Sequence, residues 1–264
     1  MDIDEAFSPM RALRHGADAL QRAPVGLLLG GFLLFVIDSC SGSGGGGDLS
    51  EITQRMDAAQ ARLLVSLVWI SALLGIVMFV VRCWFVVGWI RLQRTVLETG
   101  ADSVGLLFAG GDAFFRMLGW RLLNRLILLG TTAVAAIPGG ALVALGSSQE
   151  IDAMASLGVV VMLLTVLPVV VYVWLGLALG DHAVALDGLG PVGALDRSWE
   201  LARGHRLRIG VFVAVTDLFS ALGLLACCIG YFVTRTIAEI GLTEAYVLTT
   251  IPGAGGWVVP REAV

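Results

Sequence analysis

The chain has 264 residues, of which 57% are hydrophobic and 14% charged, with a mean hydropathy of +0.88 and a formal net charge of −4. A soluble domain sits nearer about 45–50% apolar and about 25% charged, so lipid rather than water is the expected solvent for most of this chain. Every basic residue is arginine, and these sit at the edges of apolar runs rather than on a soluble face, which argues against nucleic-acid binding.

Ser8-Pro9 reads as a helix start, a hydroxyl cap followed by proline in the first turn. Met10, Leu13, Ala17 and Leu20 then recur at helical spacing, with Arg11, Arg14, His15, Asp18 and Gln21 on the other faces. Residues 1–23 therefore predict an amphipathic helix lying on the cytoplasmic surface of the membrane, its arginines toward lipid headgroups.

Pro24 breaks that helix where a first apolar stretch, 24–41, begins. A bilayer core needs about 20 apolar residues per helix. Five further stretches approach that length, at about 63–81, 126–145, 155–179, 209–226 and 231–250. The second is extended by 83–90 beyond Arg82, and the sixth is interrupted by Arg235, Glu239 and Glu244. Between the first and second lies a Ser/Gly run, 41–47, that reads as a flexible linker, followed by a polar helical stretch at 49–62. Cys40 precedes that run as in a lipoprotein cleavage site, but Asp38 stands where a small residue is wanted.

Two later segments resemble the opening helix. After Pro191, the residues Val192, Leu195, Trp199 and Ala202 repeat at helical spacing, with Asp196, Arg197, Glu200 and Arg203 on the polar side and Gly204 as terminator. Pro9, Ala12, Leu13 and Asp18 align with Pro191, Ala194, Leu195 and Glu200. A looser copy, 102–116, carries Leu106, Leu107, Phe114 and Phe115. The expectation is three units, each an interfacial helix followed by a two-span hairpin.

Arginine placement orients the chain. With the N-terminus inside, cytoplasmic segments hold Arg11, Arg14 and Arg22, then Arg82, Arg91, Arg94, Arg116, Arg121 and Arg125, then Arg197, Arg203, Arg206 and Arg208, and finally Arg261. The outer links hold only Arg55 and Arg62. Such a bias predicts six spans with both termini cytoplasmic and with 251–264 as a cytoplasmic tail.

Ionisable residues inside spans are costly and mark candidate sites. Asp217 on the fifth span and Arg235 on the sixth are equidistant from the turn between them, and Arg235 and Glu239 are four apart on one helix face. A polar cluster of Asp217, Arg235, Glu239 and Glu244 is expected, with Asp217 paired to Arg235. Arg11, Arg14, Arg91, Arg94, Arg116, Trp199 and Arg203 are expected at lipid headgroups. Gly176-x-x-x-Gly180 could bring two helices together, and Pro138 and Pro168 could kink their spans. His182 has no second ligand at metal spacing, and Cys40, Cys83, Cys227 and Cys228 fit no zinc or redox motif. No phosphate-binding loop, HExxH or GxSxG motif is present, so no enzyme activity, cofactor or metal is expected.

The segment Ala194-Leu195-Asp196-Arg197-Ser198-Trp199-Glu200-Leu201-Ala202-Arg203-Gly204 resembles the "ALxxSWxLxxG" segment of bacterial six-span proteins similar to the membrane domain of glycerophosphoryl diester phosphodiesterases. Ala12-Leu13-Arg14-His15-Gly16 and Glu244-Ala245-Tyr246 look like that family's opening and ending. The resemblance implies a six-helix inner-membrane protein without the catalytic barrel. The expected fold is thus all-α, a polytopic helical bundle with amphipathic helices on the cytoplasmic side. The expected role is a non-enzymatic membrane component binding lipid, a second copy or another membrane protein. The alternative is a transporter or lipid-handling protein using Asp217, Arg235 and Glu239.

Overall fold

The structure, a computed structural model, describes residues 7–41, 58–149, 151–225 and 227–250. The glycine-rich linker 42–47, the stretch 49–57 with Arg55, and the tail 251–264 with Arg261 lie outside the described residues. The described chain is all-helical: α1 (Pro9–Arg22), α2 (Pro24–Ser41), α3 (Ala58–Thr99), two 3-10 turns (Val104–Phe108 and Gly110–Ala113), α4 (Phe114–Ser148), α5 (Asp152–Leu177), α6 (Gly180–Leu186), α7 (Pro191–Ala202), α8 (Arg206–Leu225) and α9 (Cys227–Thr250).

Among the described residues, Ser66–Thr99, Phe114–Ser148 and Asp152–Leu186 are long and apolar enough to cross a membrane. The pair Pro9–Arg22 and Pro24–Ile37, bent by 112°, adds a fourth if it forms one span. The bend falls at Ala23, where Pro24 forbids a continuous helix. α8 and α9 cover the fifth and sixth expected stretches, and each carries three charged residues, which lowers its apolar character.

The packed core sits at one end. Its largest fully buried side chains include Trp120, Tyr246, Phe212, Leu92, Leu107, Met117 and Leu179. Toward the other end the apolar helices bury little: Trp69 is 72% and Leu164 70% exposed. Exposed hydrocarbon of this extent on long apolar helices is what lipid solvation requires.

Glycines set how closely the helices approach. α4 and α5 meet where a Cβ on Gly158 would lie 2.6 Å from the Val143 backbone nitrogen and 2.9 Å from the Gly139 carbonyl oxygen. α1 crosses α9 at Gly16, where a Cβ would come 2.5 Å from the Ile237 carbonyl oxygen. Gly176 and Gly180 do not join two helix backbones as expected; they accept the rings of Trp199 and Trp120. α4 and α5 run on through Pro138 and Pro168, and the Thr165 hydroxyl lies 3.0 Å from the carbonyl oxygen of Ala135, one turn before Pro138.

The opening helix is docked as well as interfacial in pattern. Its buried residues are Ala12, Gly16 and Ala19, while Met10 is 76% exposed. α7 likewise buries Ala194, Ser198 and Ala202. The aligned pairs Ala12/Ala194 and Gly16/Ser198 are thus both small and buried. The looser copy at 102–116 is not a helix of this kind. Its 3-10 turns run back along α3, where a Cβ on Gly88 would collide with the Leu106 and Leu107 carbonyls. Backbone contact of that sort leaves no room for an α-helix, so the third unit of the expected repeat is lost.

Ser198 explains a break in the fifth long helix. α5 ends at Leu177 and α6 begins at Gly180. The Ser198 hydroxyl donates to the Gly176 carbonyl at 2.7 Å and accepts from the Leu179 amide at 3.3 Å. Ser198→Ala is expected to leave both groups buried and unsatisfied, costing about 1–3 kcal/mol. Thermal unfolding in detergent measures this, and an unchanged midpoint would contradict it.

Candidate functional site

The buried end of the bundle is polar at its centre. Gln93 on α3 is 1% exposed, His182 on α6 is 6% exposed and Thr243 on α9 is fully buried. The Thr243 hydroxyl lies 2.5 Å from Gln93 Oε1 and 3.1 Å from His182 Nε2. If Thr243 donates to Gln93, its oxygen is left to accept from His182 Nε2–H. Gln93 Nε2 and His182 Nδ1 are buried with no hydrogen-bond partner. The imidazole stacks on Tyr246, with centroids 5.5 Å apart.

Tyr246 carries this centre to a pocket. Its hydroxyl donates to Asp187 Oδ2 at 2.6 Å. The pocket, about 280 Å³, is lined by Arg94, Leu186, Asp187, Arg197, Tyr246, Val247 and Thr250. Arg94 pairs with Glu98 at 2.5 Å, one turn along α3. Arg197 pairs with Glu200 at 3.3 Å, but Glu200 is 73% exposed, so solvent screens that pair. Two guanidiniums and a tyrosine-held carboxylate therefore face one small space, with Leu186 and Val247 as its apolar wall.

Two ion pairs and an arginine–carbonyl hydrogen bond tie the helices around this centre. Arg121 on α4 holds Asp181 on α6 at 2.7 Å, and the Trp120 indole donates to the same carboxylate at 2.8 Å. Arg91 grips Asp112 through two hydrogen bonds of 2.7 and 2.8 Å and also donates to the Ala109 carbonyl. That clamp fastens the 3-10 turns to α3, and it holds the Asp112 carboxyl below the usual carboxylate range. Arg116 donates to the Gly188 carbonyl, tying α4 to the loop before α7.

The expected intramembrane cluster is only partly assembled. Arg235 donates to Glu239 at 3.1 Å and to the Tyr231 hydroxyl at 2.9 Å, and the Trp89 indole donates to Glu239 at 2.8 Å. Glu244 sits apart from them, with His15 at 2.6 Å and Arg11 at 3.5 Å, so it docks α1 onto α9. Asp217 is exposed on α8, and the structure does not hold it against Arg235. Equal distance from a turn fixes depth but not the face a helix presents, and Asp217 lies on the outer face.

The residues expected at lipid headgroups divide in the same way. Arg14 and Arg203 are exposed. Arg11, Arg91, Arg94 and Arg116 are engaged by protein groups, as above. Trp199 packs on Gly176 and meets Tyr172 edge to face, with centroids 6.1 Å apart. Sequence reasoning missed Gln93, Asp181, Asp187, Thr243 and Tyr172. Arg94, His182, Arg197 and Tyr246 had been singled out, but for other reasons.

A family model described as a domain of unknown function (DUF7847) matches residues 10–259. The chain belongs to that family. The DUF7847 match runs from the first turn of α1 past the end of α9, so all of the described helices except Pro9, and the whole candidate site, fall inside it. Neither a curated protein nor a solved structure matches the chain.

Proposed function

We propose that this DUF7847 chain is a six-span protein of a bacterial inner membrane, with both ends cytoplasmic, that binds a ligand without transforming it. The pocket between Arg94, Asp187 and Arg197 carries this reading. Paired guanidiniums match a phosphate or carboxylate, and the neighbouring carboxylate matches an amine. A phosphate-bearing headgroup or small phosphoester, with or without an amine, is the ligand class that this chemistry suits. The arginine bias supports the orientation, and the resemblance around Ser198-Trp199 agrees with six helices. α1 and α7 would lie at the cytoplasmic interface, each held by its small-residue stripe.

The alternative, a transporter or lipid-handling protein using a cluster of Asp217, Arg235 and Glu239, has less support, because Asp217 lies apart from the Arg235–Glu239 pair. The test uses the full chain purified in detergent, with thermal shifts on adding phosphoethanolamine, glycerophosphate or inorganic phosphate. At least one is expected to stabilise the protein, and Arg197→Ala is expected to weaken its binding about tenfold, the loss of one charge-assisted contact. No shift with any of the three, or an unchanged affinity in Arg197→Ala, would contradict the proposal.

A further inference from the structure

A second cationic group lies outside that pocket. Arg206 opens α8, and its guanidinium carbon sits 3.7 Å from the centroid of the Tyr172 ring and 4.1 Å from that of Trp199. The clamp is anchored in the fold, because the Trp199 ring is pressed on Gly176, where a Cβ would lie 2.5 Å from it. Nε and Nη1 of Arg206 are buried with no hydrogen-bond partner. Glu200, in the last turn of α7, pairs with Arg197 instead.

Buried donors without acceptors are rare and costly. Aromatic faces offset part of the cost of the charge. They do nothing for N–H groups that point outward in the guanidinium plane. Nε and Nη1 are covered by protein, so an acceptor reaches this guanidinium at its remaining nitrogen, Nη2, and a phosphate oxygen suits such a charged donor.

The surroundings favour a lipid as the source of that phosphate. Tyr172 is 55% exposed on an apolar helix long enough to cross a membrane. Leu207 and Val211, on the first turns of α8, are 83% and 53% exposed. Tyr and Trp rings suit the boundary between headgroups and hydrocarbon. Arg203 is exposed nearby and adds positive charge.

We propose that Arg206, held between Tyr172 and Trp199, binds the phosphate of an anionic glycerophospholipid in the leaflet at the arginine-rich end. The site rests on the membrane reading above but shares no residue with the pocket. The full chain in detergent is mixed with equal amounts of phosphatidylglycerol and phosphatidylcholine, and retained lipid is counted by native mass spectrometry. The wild type is expected to prefer phosphatidylglycerol, and Arg206→Gln to lower that preference about fivefold. Arg206→Lys should fall between them, because it keeps the charge and loses the planar fork. Arg14→Gln, which removes an exposed interfacial arginine of α1, should lower the preference far less than Arg206→Gln. Tyr172→Leu, which removes one face of the clamp and keeps the charge, should also lower the preference and covers a poorly folded Arg206→Gln. An unselective wild type, an unchanged preference in Arg206→Gln or in Tyr172→Leu, or an equal loss in Arg14→Gln overturns the proposal. Displacement of phosphatidylglycerol by millimolar inorganic phosphate overturns the lipid assignment in favour of a soluble phosphate. Arg206→Gln should leave the phosphoester shift of the pocket intact, so failure of either site is read separately.

Discussion

Asp181→Ala is expected to destabilise the protein by about 3 kcal/mol, the low end for breaking a buried ion pair. The low end applies because the Asp181 side chain is 30% exposed, while that of Arg121 is only 13% exposed. Removing the carboxylate leaves the Arg121 guanidinium without its counter-charge at 2.7 Å and the Trp120 indole without its acceptor at 2.8 Å. Trp120 is fully buried against Gly180, so it has nowhere to turn for another partner. Adding Arg121→Met to Asp181→Ala removes the stranded charge and is expected to recover most of the loss. Thermal unfolding in detergent separates the cases. A double variant no more stable than Asp181→Ala would show that the pair is not what joins α4 to α6.

Gly158→Leu is expected to abolish folded yield, and Gly158→Ala to cost about 1–3 kcal/mol. Backbone atoms face this glycine, and they cannot swing aside as a side chain can. A side chain here forces α4 and α5 apart, and that separation also opens the contact at Gly139. In lipid, two apolar helices gain little from burial, and close packing supplies most of their association. Monodispersity on size exclusion and unfolding midpoints measure the loss. A stable, monodisperse Gly158→Leu protein would contradict the close approach of the two helices.

Helices were legible in the sequence because hydrocarbon demands long apolar runs, and the described residues of the six expected stretches are helical apart from Ala178 and Leu179. Prolines also marked helix starts well: Pro9, Pro24 and Pro191 each stand at the first position of a helix, although the Ser8 hydroxyl makes no capping hydrogen bond. Two features were not legible. The buried face of α1 is a run of small residues, Ala12, Gly16 and Ala19, and hydropathy gives such a run little weight. The polar centre is assembled from Gln93, His182 and Thr243, residues far apart in the chain whose meeting depends on how α3, α6 and α9 pack. Depth could be read from distance to a turn, but the face could not, and so Asp217 was paired with a partner it does not meet. Arginines were read as lipid contacts because their positions fit the interface, yet Arg91 and Arg116 are held by groups in Asp112, Ala109 and Gly188.

The account depends on α5 carrying the chain from one aqueous side to the other, with the arginine-rich end facing the cytoplasm. Single cysteines at Ser147 and Asp196, in a chain whose native cysteines are replaced by alanine, test this with a membrane-impermeant maleimide on intact cells. Ser147→Cys is expected to label in intact cells, and Asp196→Cys only after the membrane is opened. Labelling of both in intact cells, or of neither, would contradict the arrangement.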